Sequence, residues 1–276
     1  MKKLLAFVLI ATLCFSAMVF ASCYGTPLFT AEEMLPLCDK SEQYSLTKDI
    51  VNICIDADVY AVAVHNIKGD DVTVDYVTHN RVTVTVKESI NSLTIKQEIK
   101  GSIWSPNTLY IVIGIPESLT DYNIVADVDT GSLSIENSNA TKLELDVDTG
   151  AVNVSVQNAK KVDISVDTGA VNLTGQSEYV AIETDTGAVK VNMQVNKIFL
   201  STDTGAINFE VTNSKTIYVE SNTGAVRGKI HGDKTQYSIL VDVTTGSCNV
   251  KDQIGTGSQL LEIDIDTGSA RIDFVQ

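Results

Sequence analysis

Eight short phrases hold most of the side chains on this chain that could do chemistry. Asp129-Thr130-Gly131-Ser132, Asp148-Thr149-Gly150-Ala151 and Asp167-Thr168-Gly169-Ala170 are followed by Asp185-Thr186-Gly187, Asp203-Thr204-Gly205, Asn222-Thr223-Gly224, Thr244-Thr245-Gly246 and Asp266-Thr267-Gly268. Three chemistries are open to such phrases. Two carboxylates held face to face can share a proton and activate water for hydrolysis. A file of carboxylates, here Asp129, Asp148, Asp167, Asp185, Asp203 and Asp266, offers the oxygen-only ligands that suit calcium. A ladder of threonines, Thr130 to Thr267, could order water against ice or a mineral.

Spacing decides among them. Consecutive glycine numbers differ by 19, 19, 18, 18, 19, 22 and 22, a near-constant period that marks a repeat architecture. An apolar residue before Asp-Thr-Gly-Ala, as in Val147 to Ala151, resembles the active-site phrase of aspartic proteases, which need two such turns facing each other across a cleft. Phrases recurring once per short period line up along one edge instead, which argues against proteolysis. The exchange of Asp for Asn222 and Thr244 keeps an acceptor oxygen and discards the charge. That favours turn capping, in which the side chain accepts from a backbone donor two residues on while Gly131, Gly150, Gly169, Gly187, Gly205, Gly224, Gly246 and Gly268 supply positive φ. Calcium is the lesser expectation, because no further acidic residue recurs at a spacing that completes a shell. No other metal and no cofactor is expected.

The flanks of each phrase show what positions it. Leu143-Glu144-Leu145-Asp146-Val147 alternates apolar and polar residues, and so does Val152-Asn153-Val154-Ser155-Val156 after the turn, the period of a half-buried strand. A unit of two short strands, a glycine turn and a polar link has no room for a helix. Coiling once per unit lays each strand beside its counterpart, which is an all-β, single-stranded parallel β-solenoid with coils of about 19 residues. The expected inward columns are Leu145, Ile164, Ile182, Leu200, Val219, Val241 and Ile263 before the turn. After it they are Leu133, Val152, Val171, Val189, Ile207, Val226, Cys248 and Ala270.

Upstream, Met1-Lys2-Lys3 and the apolar run to Ala21 form an export signal over residues 1–22. Val19-Phe20-Ala21 suits ordinary cleavage, whereas Phe20-Ala21-Ser22-Cys23 is an imperfect lipobox that makes Cys23 a lipidation candidate. Residues 23–45 read as a linker with one short helix near Ala31 to Leu37. The domain then spans 46–276, with irregular strands and a cap over 46–118 and the regular repeats over 119–276. Trp104 is expected to cover the open end of the stack. If Cys23 is lipidated, Cys38 and Cys54 are the candidate disulfide pair. His65, His79 and His231 are too far apart for a zinc motif. Tyr60, Tyr76, Tyr110, Tyr218 and Tyr237 are scattered, with no aromatic stripe. The last phrase is followed by only eight residues and no cap, so an exposed strand edge is expected there, with end-to-end self-association as its consequence.

The formal charge of −15 argues against nucleic acid or anionic lipid as a direct partner. The membrane is then reached only through the signal or a lipid anchor. The signal sequence, the Ile55-Asp56-Ala57-Asp58-Val59 strand, the Ile115-Pro116 lead-in and the Asp-Thr-Gly-Ala-Val units together resemble the bacterial putative-adhesin family of β-strand-repeat domains of unknown function. That resemblance implies a right-handed parallel β-helix-like fold in the cell envelope, at the surface or secreted, and it defines no functional residue. The expected function is a non-enzymatic surface or envelope scaffold that binds a surface, glycan or envelope-protein ligand. A polysaccharide-active enzyme is the alternative and an ice- or mineral-binding solenoid the remote one.

Overall fold

The structure is a computed structural model and describes residues 30–45, 52–101 and 109–276. The expectations for the export segment, Cys23 and Trp104 fall outside those residues. The described residues are all-β and form one 14-stranded sheet wound back on itself in a β-solenoid-like way.

The regular part contains β8 (Asn123–Thr130), β9 (Leu133–Ser138), β10 (Lys142–Thr149), β11 (Val152–Thr212), β12 (Thr216–His231), β13 (Tyr237–Cys248) and β14 (Gln259–Val275). Strand β11 runs through Gly169, Gly187 and Gly205 without a break. Neighbouring coils pair in parallel and in register, Leu145 against Ile164 and Leu200 against Val219 before the turn, Val152 against Leu133 and Ile207 against Val226 after it. Every expected inward residue is buried or packed against the core, with Val241 and Cys248 the partly buried ones. Each fully buried Leu, Ile or Val contributes about 1.5–3 kcal/mol, and the strand period places these side chains on the same side of every coil. One inward column turns polar halfway along. Thr184, Thr202 and Ser221 are each about 1% exposed, and Thr184 donates to the Thr202 hydroxyl at 3.0 Å.

Glycine serves the turns only in part by the route expected, with φ positive at Gly131, Gly205, Gly246 and Gly268. Its φ is not in the positive region at Gly150, Gly169, Gly187 or Gly224. What excludes a side chain is the stacking itself, since a Cβ on Gly150 would lie 1.5 Å from the carbonyl oxygen of Gly131 in the coil before it. Capping by the aspartates is overturned as well. The backbone donors at the turn are spent between coils, Gly131 N–H on the Thr149 carbonyl and Gly150 N–H on the Thr168 carbonyl. No backbone N–H among the described residues donates to Asp129, Asp148, Asp167, Asp185 or Asp266, and all five are exposed.

The ends do not follow chain order. At the N-terminal end, β2 (Asn52–Ala57) and β3 (Ala61–Ile67) form a coil that stacks directly on β8 and β9. Their outer edges receive β6 (Ser92–Ile99) and β7 (Tyr110–Pro116) in parallel, although those strands come later in the chain. Antiparallel strands then close the end. Strand β5 (Val82–Ser89) covers β6, while β4 (Val72–Tyr76) covers β7 and carries β1 (Lys40–Tyr44). Part of the expected linker is therefore structured. Helix α1 (Ala31–Met34) has a Thr30 capping box and packs with Cys38 on Ala63, Tyr110 and Val112, and β1 extends the cap.

At the other end, β14 lies between β12 and β13. The C-terminal strand is an interior coil, which corrects the expectation of an uncapped edge there. The outermost strand is β13, and residues 249–256 fold over its first half, where Ile239 and Gln253 exchange backbone hydrogen bonds at 2.9 and 3.0 Å. Both candidate disulfide partners are free thiols. Cys54 sits on the outer face of β2 in the coil stack, whereas Cys38 packs beneath α1, and burial followed by Asp75 and Asp39 pushes its thiol up to about 11.

Candidate functional site

Because the coils are in register, outward side chains also fall into columns. On the strands before the turn, one column runs Val125, Glu144, Asp163, Ala181, Phe199, Tyr218 and Glu262. The next outward column runs Asp56, Asp127, Asp146, Ser165, Glu183, Ser201, Glu220 and Asp264. Beside it, at the turn, lies the file of Asp129, Asp148, Asp167, Asp185, Asp203 and Asp266. This face is a broad acidic surface, and like charges one strand apart repel. Burial, then Asp146, Asp56 and Asp148, raises the pKa of Asp127, while burial followed by Asp58 and Asp148 raises that of Asp129. Asp264 is raised by burial and by Asp242, Glu220 and Asp266.

A groove of about 540 Å³ crosses this face. Its floor is made by the small residues Ser165, Ala181 and Ser201 around exposed Glu183. One wall is acidic, with Glu144, Asp146 and Asp163, and the other is formed by Phe199 and Tyr218. The rings make a short row: Tyr179 and Phe199 have centroids 5.4 Å apart, and Phe199 and Tyr218 6.1 Å apart, tilted by 35° and 38°. Lys161 lies 5.6 Å from the Tyr179 ring centroid and pairs with Asp163.

The face after the turn differs. Lys190, Asn208, Arg227 and Arg271 occupy one outward column near the C-terminal end, bordering a second depression of about 590 Å³ with Lys229, Glu210 and Asp273. Lys229 donates to Glu210 at 2.8 Å and His231 Nε2 lies 2.6 Å from the same oxygen. Lys229 first and His231 second hold that carboxyl below its usual range.

Residues 50–273 match the model of the Toastrack DUF4097 family. The chain belongs to that family. Among solved structures, this Toastrack chain is similar to a putative adhesin from Bacteroides fragilis NCTC 9343, at 16% identity over 85% of this chain and 96% of that one, with a TM-score of 0.49. A putative lipid binding protein from Parabacteroides distasonis ATCC 8503 is 12% identical over 86% and 96%, with a TM-score of 0.42. A putative cell adhesion protein from Clostridium sporogenes ATCC 15579 is 8% identical over 86% and 99%, with a TM-score of 0.28. No curated protein matches the chain.

The Toastrack fold brings the Asp-Thr-Gly phrases side by side along one edge, Thr130 beside Thr149 and Thr149 beside Thr168. No two of their carboxylates meet across a cleft, so the proteolytic arrangement is missing. Asp203 accepts from Asn222 at 2.7 Å. No three His, Cys, Asp or Glu side chains among the described residues converge as a metal group. His65, His79 and His231 lie on different strands or turns, and burial lowers the pKa of His65. Of the five tyrosines singled out from the sequence, Tyr60, Tyr76, Tyr110 and Tyr237 are buried and only Tyr218 is on the acidic face. The aromatic row of Tyr179, Phe199 and Tyr218 was missed, although Ala181, Phe199 and Tyr218 recur at steps of 18 and 19. No helix among the described residues is long and apolar enough to cross a membrane.

Proposed function

We propose that this chain is an exported, non-enzymatic cell-surface or envelope protein, an adhesin-type binding scaffold built from right-handed parallel β-helix coils. The observation that carries this reading is the in-register stacking of outward side chains into continuous columns, which turns a repeated strand into an extended surface. Many weak contacts along such a surface act together. The acidic phrases support it by their periodicity, since they form a file and not a singular catalytic pair. Export follows from the signal pattern of residues 1–22, with Cys23 as the anchoring residue if the lipobox is used.

The test is fractionation and adhesion with the full chain. Cells expressing it should retain it in the envelope and adhere to ligand-coated surfaces, with adherence lost on deletion and no turnover of acidic or neutral glycans. Cytoplasmic retention, or glycan cleavage that survives purification, would overturn the reading. A Cys23→Ala variant separates a lipid anchor from simple signal cleavage, because only the first loses detergent-phase partition.

A further inference from the structure

The geometry points to the groove around Glu183 as a docking site for an extended, arginine- or lysine-bearing polypeptide segment of a partner protein. The inference rests on the scaffold reading above and names the partner's chemistry. Five carboxylates line the groove, Asp127, Glu144, Asp146, Asp163 and Glu183, of which Glu144 pairs with Lys142 and Asp163 with Lys161, and no basic side chain lines it. Opposite the acidic wall stand the half-buried rings of Phe199 and Tyr218. A carboxylate on one side and an aromatic face on the other is the pair that receives a guanidinium or ammonium, by ion pairing and by cation–π attraction.

The molecule already makes this contact twice with its own residues, once in the N-terminal cap, where Lys40 lies over Tyr76 while pairing with Glu42, and once beside the groove. Lys161 lies over Tyr179 while pairing with Asp163. One coil further on Ala181 stands where Asp163 stands a coil earlier, and its small side chain leaves the groove open beside Phe199, which lies in the column of Asp163 and not in that of Tyr179. The lining runs from Val125 to Tyr218 over six coils, five steps of about 4.8 Å or roughly 24 Å, which about seven extended residues would span at ~3.4 Å each. The rings lean on one another at 35° and 38° and give no flat platform for successive sugar rings. Five carboxylates also have no counterpart on a neutral glycan.

The experiment uses the full chain and a fluorescein-labelled ten-residue peptide with three arginines at alternate positions, read by anisotropy at physiological salt. Its citrulline counterpart keeps the shape and removes the charge, and it should not bind. Phe199→Ser and Tyr218→Ser leave the net charge unchanged and should each weaken the arginine peptide at least five-fold. Glu183→Gln should do the same, whereas Asp203→Asn, an equal charge change at the turn edge, should stay within two-fold. Circular dichroism melts confirm that each variant is folded, and either aromatic variant suffices. Affinity that follows net charge alone, with both aromatic variants equal to wild type, overturns the inference. So does stronger competition by a glucosamine oligomer, or self-association of the chain that blocks the peptide. Envelope retention and adherence that persist without peptide binding would sink the docking site and leave the scaffold reading intact.

Discussion

The middle of the array and its two ends are built from similar strands by different rules. From β8 to β12 each coil lies on the one before it in the chain. At both ends the order is exchanged: β6 and β7 sit outside β2 and β3, and β13 sits outside β14. A coil in the middle is held on both edges by neighbours close in sequence. A terminal coil in simple order would expose a full strand edge next to a fraying chain end. The exchange puts the last strand inside the stack and leaves an internal segment, closed by residues 249–256, at the edge. The ends are thus protected by topology, the middle by repetition.

Removing β14 breaks this comparison most severely. In a stack that followed chain order, loss of the last coil would spare everything before it. Here truncation after Gly257 should also release β13, whose parallel partner is β14 alone, and hydrogen exchange should show protection lost from Tyr237 to Cys248 as well as at the outer edge of β12. Leu200→Asp places a charge at a core position with 0% exposure and should cost more than about 4 kcal/mol. Denaturant unfolding should then lose its single transition, as the coils on either side separate.

The turn glycines sharpen the contrast at smaller scale. Gly150→Ala should destabilise by about 3 kcal/mol, since its Cβ cannot avoid the neighbouring backbone. Gly232→Ala, where a Cβ would meet only the Tyr237 ring at 3.6 Å, should remain within about 0.5 kcal/mol. Thermal melts of the two variants check both.

Acid should act on the two regions with opposite sign. Glu42 in the N-terminal cap is held down to about 2 by Lys40, then by Tyr44 and Tyr76. Its contribution is complete above its ordinary value near 4.5 and is lost as pH falls from there toward 2. Asp127, Asp129 and Asp264 are raised, so their charged forms oppose folding, and protonation relieves that opposition as pH falls through their folded values. Exchange protection should therefore weaken in β1 and β4 at low pH while that of β8 and β14 is retained. Glu42→Gln should abolish the effect on β1.

The array was legible because its period is regular and its strands alternate. Leu145, Ile164 and Leu200 could be placed inward from the letters alone. The aromatic row was harder to read, since Tyr179 lies in a different outward column from Phe199 and Tyr218, and only the register makes the three rings neighbours. The turn contacts were also hidden. An Asp-Thr-Gly phrase suggests capping by local hydrogen bonds, and nothing local shows that the adjacent coils have already taken the donors. The end exchange left one trace, the lengthening of the last two glycine steps to 22, which a longer link explains equally well.

By itself the sequence determined the coil length, the inward columns, the polar character of the outside and the need for small residues at every turn. These depend on alternation and period, which are properties of neighbours along the chain. Only the tertiary structure decided which coil is outermost, where the carboxylates and rings converge into a groove, and why the turn glycines tolerate no side chain. Those depend on contacts between residues far apart in the chain, which alternation and period do not specify.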